Sequence, residues 1–283
     1  MTVEQYLRPR SVEETLSLLT EYGDDAKLVA GGQSLMVMLH EGLITPRVLI
    51  SLSGVTELAG ITTNGQARIG ALATHTQVLS HPALRSTWPV LAQAEQAVSS
   101  EQIRNRGTLC GNLAHAYPTA DPPAALLVLE AELTLRSPRG DRQVAVGDFM
   151  LGPLTTVLEP DELVTAVTLP APPAGARYAY LKYAIRPLDF AILGVAVRLV
   201  TDADGRCQQV RIGLNGAAGH PLRATEAEQI LEGAPATGQA ELAAAARAAA
   251  RQSEPLDEVF ESSAYRREMV EVYVRRALER ALR

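Results

Sequence analysis

The string PAPPAG, Pro170 to Gly175, divides the sequence into two stretches of different pattern. Closely spaced prolines lock φ and remove N–H donors, so the segment reads as an extended, poorly paired linker. Ahead of it, short apolar runs alternate with helical patterns; behind it, three strand-like runs precede a helical tail. At 283 residues the chain exceeds the usual size of one domain. The expected division is residues 1–54, 55–172 and 176–283.

Local signals fill in that division. In SVEETLSLLTEYG, Ser11 with Glu14 three residues on predicts a capping box, Val12, Leu16 and Leu19 share one face, and Gly23 ends the helix. KLVA is a short apolar strand running into GGQS, LMVMLHEG makes one or two helical turns, and RVLISL is a buried strand. From Val55, ARIGAL predicts a strand, THTQVLSH a helix capped by Thr74, and WPVLAQAEQAVSS an amphipathic helix. Pro122 and Pro123 suit the first turn of AALLVLEA, with Asp121 as its N-cap. AELTLRSPRGDRQVAV predicts a hairpin turning at Pro138–Asp141, and LVTAVTLP one more strand.

Behind the linker, ARYAYLKYAIR, FAILGVAVRLV and CQQVRIGLNGA predict an antiparallel meander, the last two strands joined by a DADG turn. From Thr225 the pattern is helical. The final SAYRREMVEVYVRRALERAL places Tyr265, Met269, Tyr273 and Ala277 on a packing face and the arginines from Arg266 to Arg283 on a solvated one.

Composition excludes several function classes. The formal charge of −6 argues against a nucleic-acid partner, which needs basic surface to displace counterions. No apolar run approaches a membrane span, and MTVEQYLRPR lacks a signal-peptide core, so the expected location is cytoplasmic. With only Cys110 and Cys207, the chain cannot supply four thiolates, so any iron–sulfur cluster must sit on a partner. The five histidines show no i, i+4 pair and no HExxH, so no metal site is expected.

Two glycine-bearing strings remain. LVAGGQSL puts Gly31 and Gly32 after an apolar strand and before a helical turn, where successive N–H groups can form an anion-binding nest and Gln33 and Ser34 can add donors. Paired glycines making only a tight turn is the other reading. The string is no Walker A loop, and it lacks the second glycine of a GxSxG elbow. GTLCGNLAHAYPTADPP has the same small-residue character: Thr108 and Asn112 are short polar contacts, His115 can orient an anion, and Asp121 can cap its helix or accept from a ribose hydroxyl.

The paired strings VAGGQSL and IRNRGTLCGNLAHAYPTADPP, with GALATH between them, resemble the flavoprotein (medium) subunit of the molybdenum hydroxylases, the bacterial carbon monoxide, nicotine and xanthine dehydrogenase type. The resemblance continues through FMLGPLTTVLEPDELVTAVTLP, KYAIRPLDFAILGVAV and the terminal SAYRREMVEVYVRRAL, covering essentially the whole chain. It implies an α+β fold, with FAD in a two-subdomain binding domain of the PCMH type, followed by a C-terminal three-stranded antiparallel sheet with a helical bundle. The implied cofactor contacts are Leu28, Val29, Ala30, Gly31, Gly32, Gln33, Ser34 and Leu35 in the first loop, and Thr108, Leu109, Cys110, Gly111 and Asn112 in the second. Asp121 would lie near the ribose and adenine, with Asp189 and Phe190 beside the isoalloxazine. Phe190 as a core residue of the strand FAILGVAV is the alternative.

No catalytic residue is implied on this chain. Substrate oxidation would belong to a large molybdenum–pterin subunit and the two-iron, two-sulfur clusters to a small one, in a heterohexamer built as a dimer of heterotrimers. An assembly subunit without FAD, or a stand-alone flavin oxidoreductase, are the rival readings. Two positions depart from the family: Cys110 stands where a glycine is usual, and Tyr117 where a small acidic residue is usual. A Cβ at residue 110 requires its backbone to avoid the glycine-only region, or the ligand to sit farther away. The expected state of Cys110 is a packed thiol, with Arg104 or Arg106 as the nearest candidates to activate it.

Overall fold

The computed structural model describes residues 3–257 and 262–283. It opens with β1 (Gln5–Leu7), α1 (Val12–Tyr22), β2 (Ala26–Val29), α2 (Gln33–His40) and β3 (Val48–Ser51). The strands form a parallel sheet in the order β1-β3-β2. Three residues are too few to show alternation, which is why β1 carries no sequence signal. Val12, Leu16 and Leu19 are buried on α1 as expected. The capping box is shifted: Ser11 Oγ accepts from the Glu14 N–H, but the Glu14 carboxylate takes the N–H of Arg10 at 2.6 Å rather than that of Ser11.

The second unit contains β4 (Ile61–Asn64), β5 (Gln66–Gly70), α3 (His75–Ser80), α4 (Pro82–Thr87), α5 (Pro89–Ala97), α6 (Glu101–Arg104), α7 (Leu109–His115) and α8 (Pro122–Val128). It continues with β6 (Glu132–Ser137), β7 (Gly140–Ala145), α9 (Val146–Phe149), β8 (Met150–Gly152), β9 (Thr155–Thr156) and β10 (Leu163–Leu169). An antiparallel sheet runs β4-β5-β10-β6-β7. Its edge strand β4, sequence ITTN, is almost wholly exposed and so lacks the apolar alternation that marks a strand. Thr74 forms the full capping box with Gln77. The β6–β7 turn is tighter than expected: Ser137 already faces Gly140, leaving only Pro138 and Arg139 between the strands.

The remaining elements are β11 (Arg177–Tyr183), β12 (Leu193–Thr201), β13 (Cys207–Asn215), β14 (Leu222–Arg223), α10 (Thr225–Leu231), α11 (Gln239–Gln252) and α12 (Ser263–Leu282). The three long strands form the expected meander, and the two-residue β14 adds to its edge. Residues 258–261, within the predicted helical tail, lie outside the described residues. β12 is buried along both faces, between α8 of the preceding unit and α12. That double cover explains its long apolar run, broken only by the buried Arg198, and the main chain of α8 comes so close to β13 that a Cβ on Gly213 would fall on the Ala124 carbonyl.

The packing face of α12 differs from the expected row. Val270, Val274, Ala277, Leu278 and Ala281 are buried, Met269 and Tyr273 pack at the margin, and Tyr265 is 39% exposed. Arg266, assigned to a solvated face, is only 2% exposed. The helix is held against α11 on one side and β11 and β12 on another, so it buries a wider and rotated stripe than one row of four-residue spacing supplies.

Candidate functional site

The first glycine string closes β2 and opens α2. Gly32 caps α2 with φ +75, a left-handed conformation that favours glycine. Gly31 has a different reason: a Cβ there would fall on the carbonyl oxygen of Arg106, so its absence lets the first string lie directly on the second. Gln33 Nε2 donates back to the Gly31 carbonyl at 3.3 Å.

The second string is half helix rather than loop. Thr108 caps α7, its Oγ1 accepting from the Gly111 N–H at 3.0 Å, and a Cβ on Gly111 would come 2.6 Å from that oxygen. The start of α7 is held by main chain: His75 N donates to Gly107 O at 2.9 Å, and Leu109 N to Ala73 O at 3.2 Å. Cys110 lies in the first turn of α7, among residues of negative φ, so its Cβ makes no demand on the backbone. Its thiol is buried in the core, and burial pushes it up to about 12 against a small opposing pull from Arg68. Arg104 is no activator; its guanidinium donates to the Val98 and Ser99 carbonyls, both at 2.8 Å.

The two strings form one wall of a cleft of about 630 Å³ that extends to the segment between β11 and β12. Leu28, Ala30, Gly31, Gly32, Gln33, Ser34 and Leu35 line it, as do Thr108, Cys110, Gly111 and Asn112. Val29 and Leu109 do not: Val29 packs with Leu39 and Leu49, and Leu109 is wholly buried in the main core. Strand and helix periodicity point these two side chains inward while their neighbours face the cleft.

Asp121 also lines the cleft but is no side-chain cap; it is itself helical at φ −70 and ψ −45, and its carboxylate points elsewhere. Oδ1 accepts from the Tyr180 hydroxyl at 2.7 Å and Oδ2 from Lys182 Nζ at 2.9 Å. Lys182 also donates to the Ala97 carbonyl at 2.9 Å. Burial raises the Asp121 carboxyl above the usual aspartate range, opposed by the Lys182 charge and the Tyr180 hydrogen bond. Tyr180, wholly enclosed, is pushed well up by burial and then by the Asp121 charge. Gly194 leaves room for this group, because a Cβ there would come 2.7 Å from the Tyr180 hydroxyl.

Sequence reasoning missed Lys182 and Tyr180. The signal available was the period-two row of Tyr178, Tyr180 and Lys182 on one face of a strand, polar tips on a face that must meet another layer.

Asp189 and Phe190 lie at the cleft mouth, on the segment before β12 rather than in it. Phe190 is 65% exposed, so it is not a core residue of the strand. Its ring sits 4.7 Å from that of Tyr117, tilted by 39°, and Tyr117 in turn stacks on His115 at 6.0 Å and 7°. Burial lowers the affinity of His115 for its proton.

The chemistry of this wall suits a long, polar, partly anionic ligand. The openings of α2 and α7 face the cleft, close main-chain approach is possible at the glycines, and the buried Asn112 Oδ1 has no hydrogen-bond partner among the described residues. Among the described residues no group of His, Cys, Asp and Glu could hold a metal ion, and no helix is long and apolar enough to cross a membrane.

Residues 2–172 match the FAD binding domain in molybdopterin dehydrogenase, and residues 178–281 the CO dehydrogenase flavoprotein C-terminal domain. The chain is 35% identical to the 6-hydroxypseudooxynicotine dehydrogenase complex subunit alpha of Paenarthrobacter nicotinovorans, over 98% of this chain and 94% of that one. It is 36% identical to the carbon monoxide dehydrogenase medium chain of Afipia carboxidovorans, over 98% and 96%. Its fold superposes with a TM-score of 0.95 on a chain of the carbon monoxide dehydrogenase from Hydrogenophaga pseudoflava that lacks the Mo-pyranopterin moiety, at 35% identity over 98% and 96%.

Proposed function

The chain belongs to the family of FAD-binding medium subunits of molybdenum hydroxylase-type dehydrogenases, and from that premise we propose that its cleft holds FAD and serves electron transfer between partner iron–sulfur clusters and an external acceptor. The single observation that carries this reading is the meeting of the two glycine strings along one cleft.

In this reading residues 28–35 and 108–112 cradle the pyrophosphate, largely through main-chain N–H groups at the openings of α2 and α7. Val29 and Leu109 take part only through their main chain, since their side chains are in the core. Asp121, oriented by Tyr180 and Lys182, stands on the ribose and adenine side. Asp189 and Phe190 flank the isoalloxazine, where an aromatic ring can cover a flavin face and limit water. When bound, FAD supplies both one-electron and two-electron chemistry, while the protein supplies orientation and electrostatics. No side chain of this chain need act as a general base.

The partners are a large molybdenum–pterin subunit and a small subunit with two-iron, two-sulfur clusters, assembled as a cytoplasmic dimer of heterotrimers. Residues 1–54 and 55–172 act as the two halves of the cofactor domain, and 176–283 as the C-terminal domain. One observation favours FAD retention over an assembly role without cofactor: Cys110 is accommodated within α7.

The absorption spectrum of the purified chain tests the reading. Flavin bands at about one FAD per chain are expected. A chain that stays colourless after FAD is supplied, yet assembles with its partners, overturns it. Turnover of a small substrate by the chain alone, without iron or molybdenum, would favour a stand-alone oxidoreductase instead.

A further inference from the structure

One polar side chain in the cleft wall has no part in the reading above. His75, the first residue of α3, is 3% exposed and lines the cleft. Its Nδ1 lies 2.6 Å from Oε2 of Glu95, which is wholly buried on α5. The opposite edge of the ring lies under the second glycine string: a Cβ on Gly107 would come 3.0 Å from Cδ2 and 3.3 Å from Nε2. Among the described residues, Nε2 has no hydrogen-bond partner.

A buried carboxylate next to an imidazole carries a desolvation penalty, and among the described residues Glu95 Oε1 has no partner of its own. The pairing has one definite chemical effect. A carboxylate only accepts, so Nδ1 carries the proton facing it, and in the neutral form of the ring Nε2 keeps a lone pair for a cleft ligand. A lone pair does not suit phosphate oxygens, which also only accept. It suits a hydroxyl.

We propose that His75 is a direct contact of the bound cofactor, with Nε2 accepting a hydrogen bond from a sugar or ribityl hydroxyl of FAD, and that Glu95 is the positioning residue that holds the ring in this tautomer. The proposal rests on the reading that the cleft takes FAD. It adds a contact from α3 to a cradle otherwise built by the two glycine strings and the Asp121 group, and it explains why a cleft-wall histidine is tied to a carboxylate with no other bonded role.

The test uses the full chain stripped of flavin and titrated with FAD, following quenching of flavin fluorescence. His75→Asn keeps an amide donor for Glu95 and removes Nε2. Glu95→Gln can donate to Nδ1 and so move the ring proton to Nε2. Each variant is expected to bind FAD about tenfold more weakly, the scale of one hydrogen bond, with the melting temperature of the flavin-free protein within a few degrees of wild type. A loss shared by FMN places the hydroxyl on the ribityl chain; a loss confined to FAD places it on the adenosine ribose. A folded His75→Asn variant that binds FAD as wild type does overturns the proposal. Where the variants fail to fold, the nitrogen resonance of wild-type His75 Nε2 decides: a shift on FAD addition supports the contact, and no shift overturns it. Wild-type protein that takes up no FAD overturns the cleft reading itself, and this contact with it.

Discussion

The Asp121 carboxylate accepts from the Lys182 ammonium at 2.9 Å, so a residue that opens a helix ahead of the proline-rich linker is bonded to a strand residue behind it. Both side chains are almost fully enclosed, at 6% and 10% exposure. The bond joins the cofactor-domain wall of the cleft to the C-terminal sheet.

Removing one partner of such a pair leaves a buried charge alone, which costs about 3–5 kcal/mol. Lys182→Met is expected to destabilise the chain by that order and to raise the Asp121 carboxyl further, because the cation that opposes its burial is gone. The sign of the pH effect follows. A carboxyl whose folded value lies above its unfolded value binds more protons in the native state, so stability falls as pH rises between the two values. Denaturant melts of the variant across the acid range should show a steeper fall than wild type through that window; an equal or opposite slope would contradict it.

Gly31 and Gly32 should fail differently. Gly31→Ala puts a methyl into the main-chain carbonyl of Arg106, which cannot swing aside, and should separate the two strings. Gly32→Ala meets only ordinary contacts, Met36 and Val29 side-chain carbons both at 3.6 Å, and suffers the left-handed φ alone, about 1–2 kcal/mol. Gly31→Ala is therefore expected to lose more stability and more flavin than Gly32→Ala, as thermal melts and flavin content would show. Gly32→Val adds a branched Cβ to the strained φ and should lose the flavin while leaving the C-terminal domain folded.

The thiols should be silent. Cys110, raised to about 12 by burial, and Cys207, also raised by burial, are both enclosed. At pH 8 the native protein is expected to release almost no colour from a thiol-reactive disulfide reagent, and denatured protein to titrate both cysteines. Rapid labelling of native Cys110 would show that α7 opens.

Tyr117→Ala removes the ring that Phe190 leans on. An aromatic pair contributes about 0.5–1.5 kcal/mol, and at a partly exposed site the lower end applies. Global stability should barely change, while amide exchange in residues 185–190 should quicken. Tyr117→Phe keeps the ring and should exchange as wild type does.

Elements long enough to show an apolar run or a clear period were readable from sequence, whereas short or exposed strands held by long-range pairing, such as β1 and β4, were not. α1 shows its face because Val12, Leu16 and Leu19 answer to a single core. α12 misleads because two neighbours cover it, so its buried stripe includes Arg266 and leaves Tyr265 outside. The glycine strings were visible because composition restricts what such backbone can do. Their reasons were not: Gly32 answers to a local dihedral angle, whereas Gly31 answers to Arg106, distant in sequence.

By itself the sequence determined the longer strands and helices, the break at Pro170–Gly175 and the two glycine strings, since these depend on local backbone freedom and on the period of apolar residues. Only the tertiary structure decided what the polar side chains do. Asp121 serves Tyr180 and Lys182 instead of its own helix, Phe190 stands at the cleft mouth instead of in the core, and His75 is tied to Glu95. Local preference offers a polar side chain several satisfactory partners, and burial against another layer selects among them by making every unpaired alternative costly.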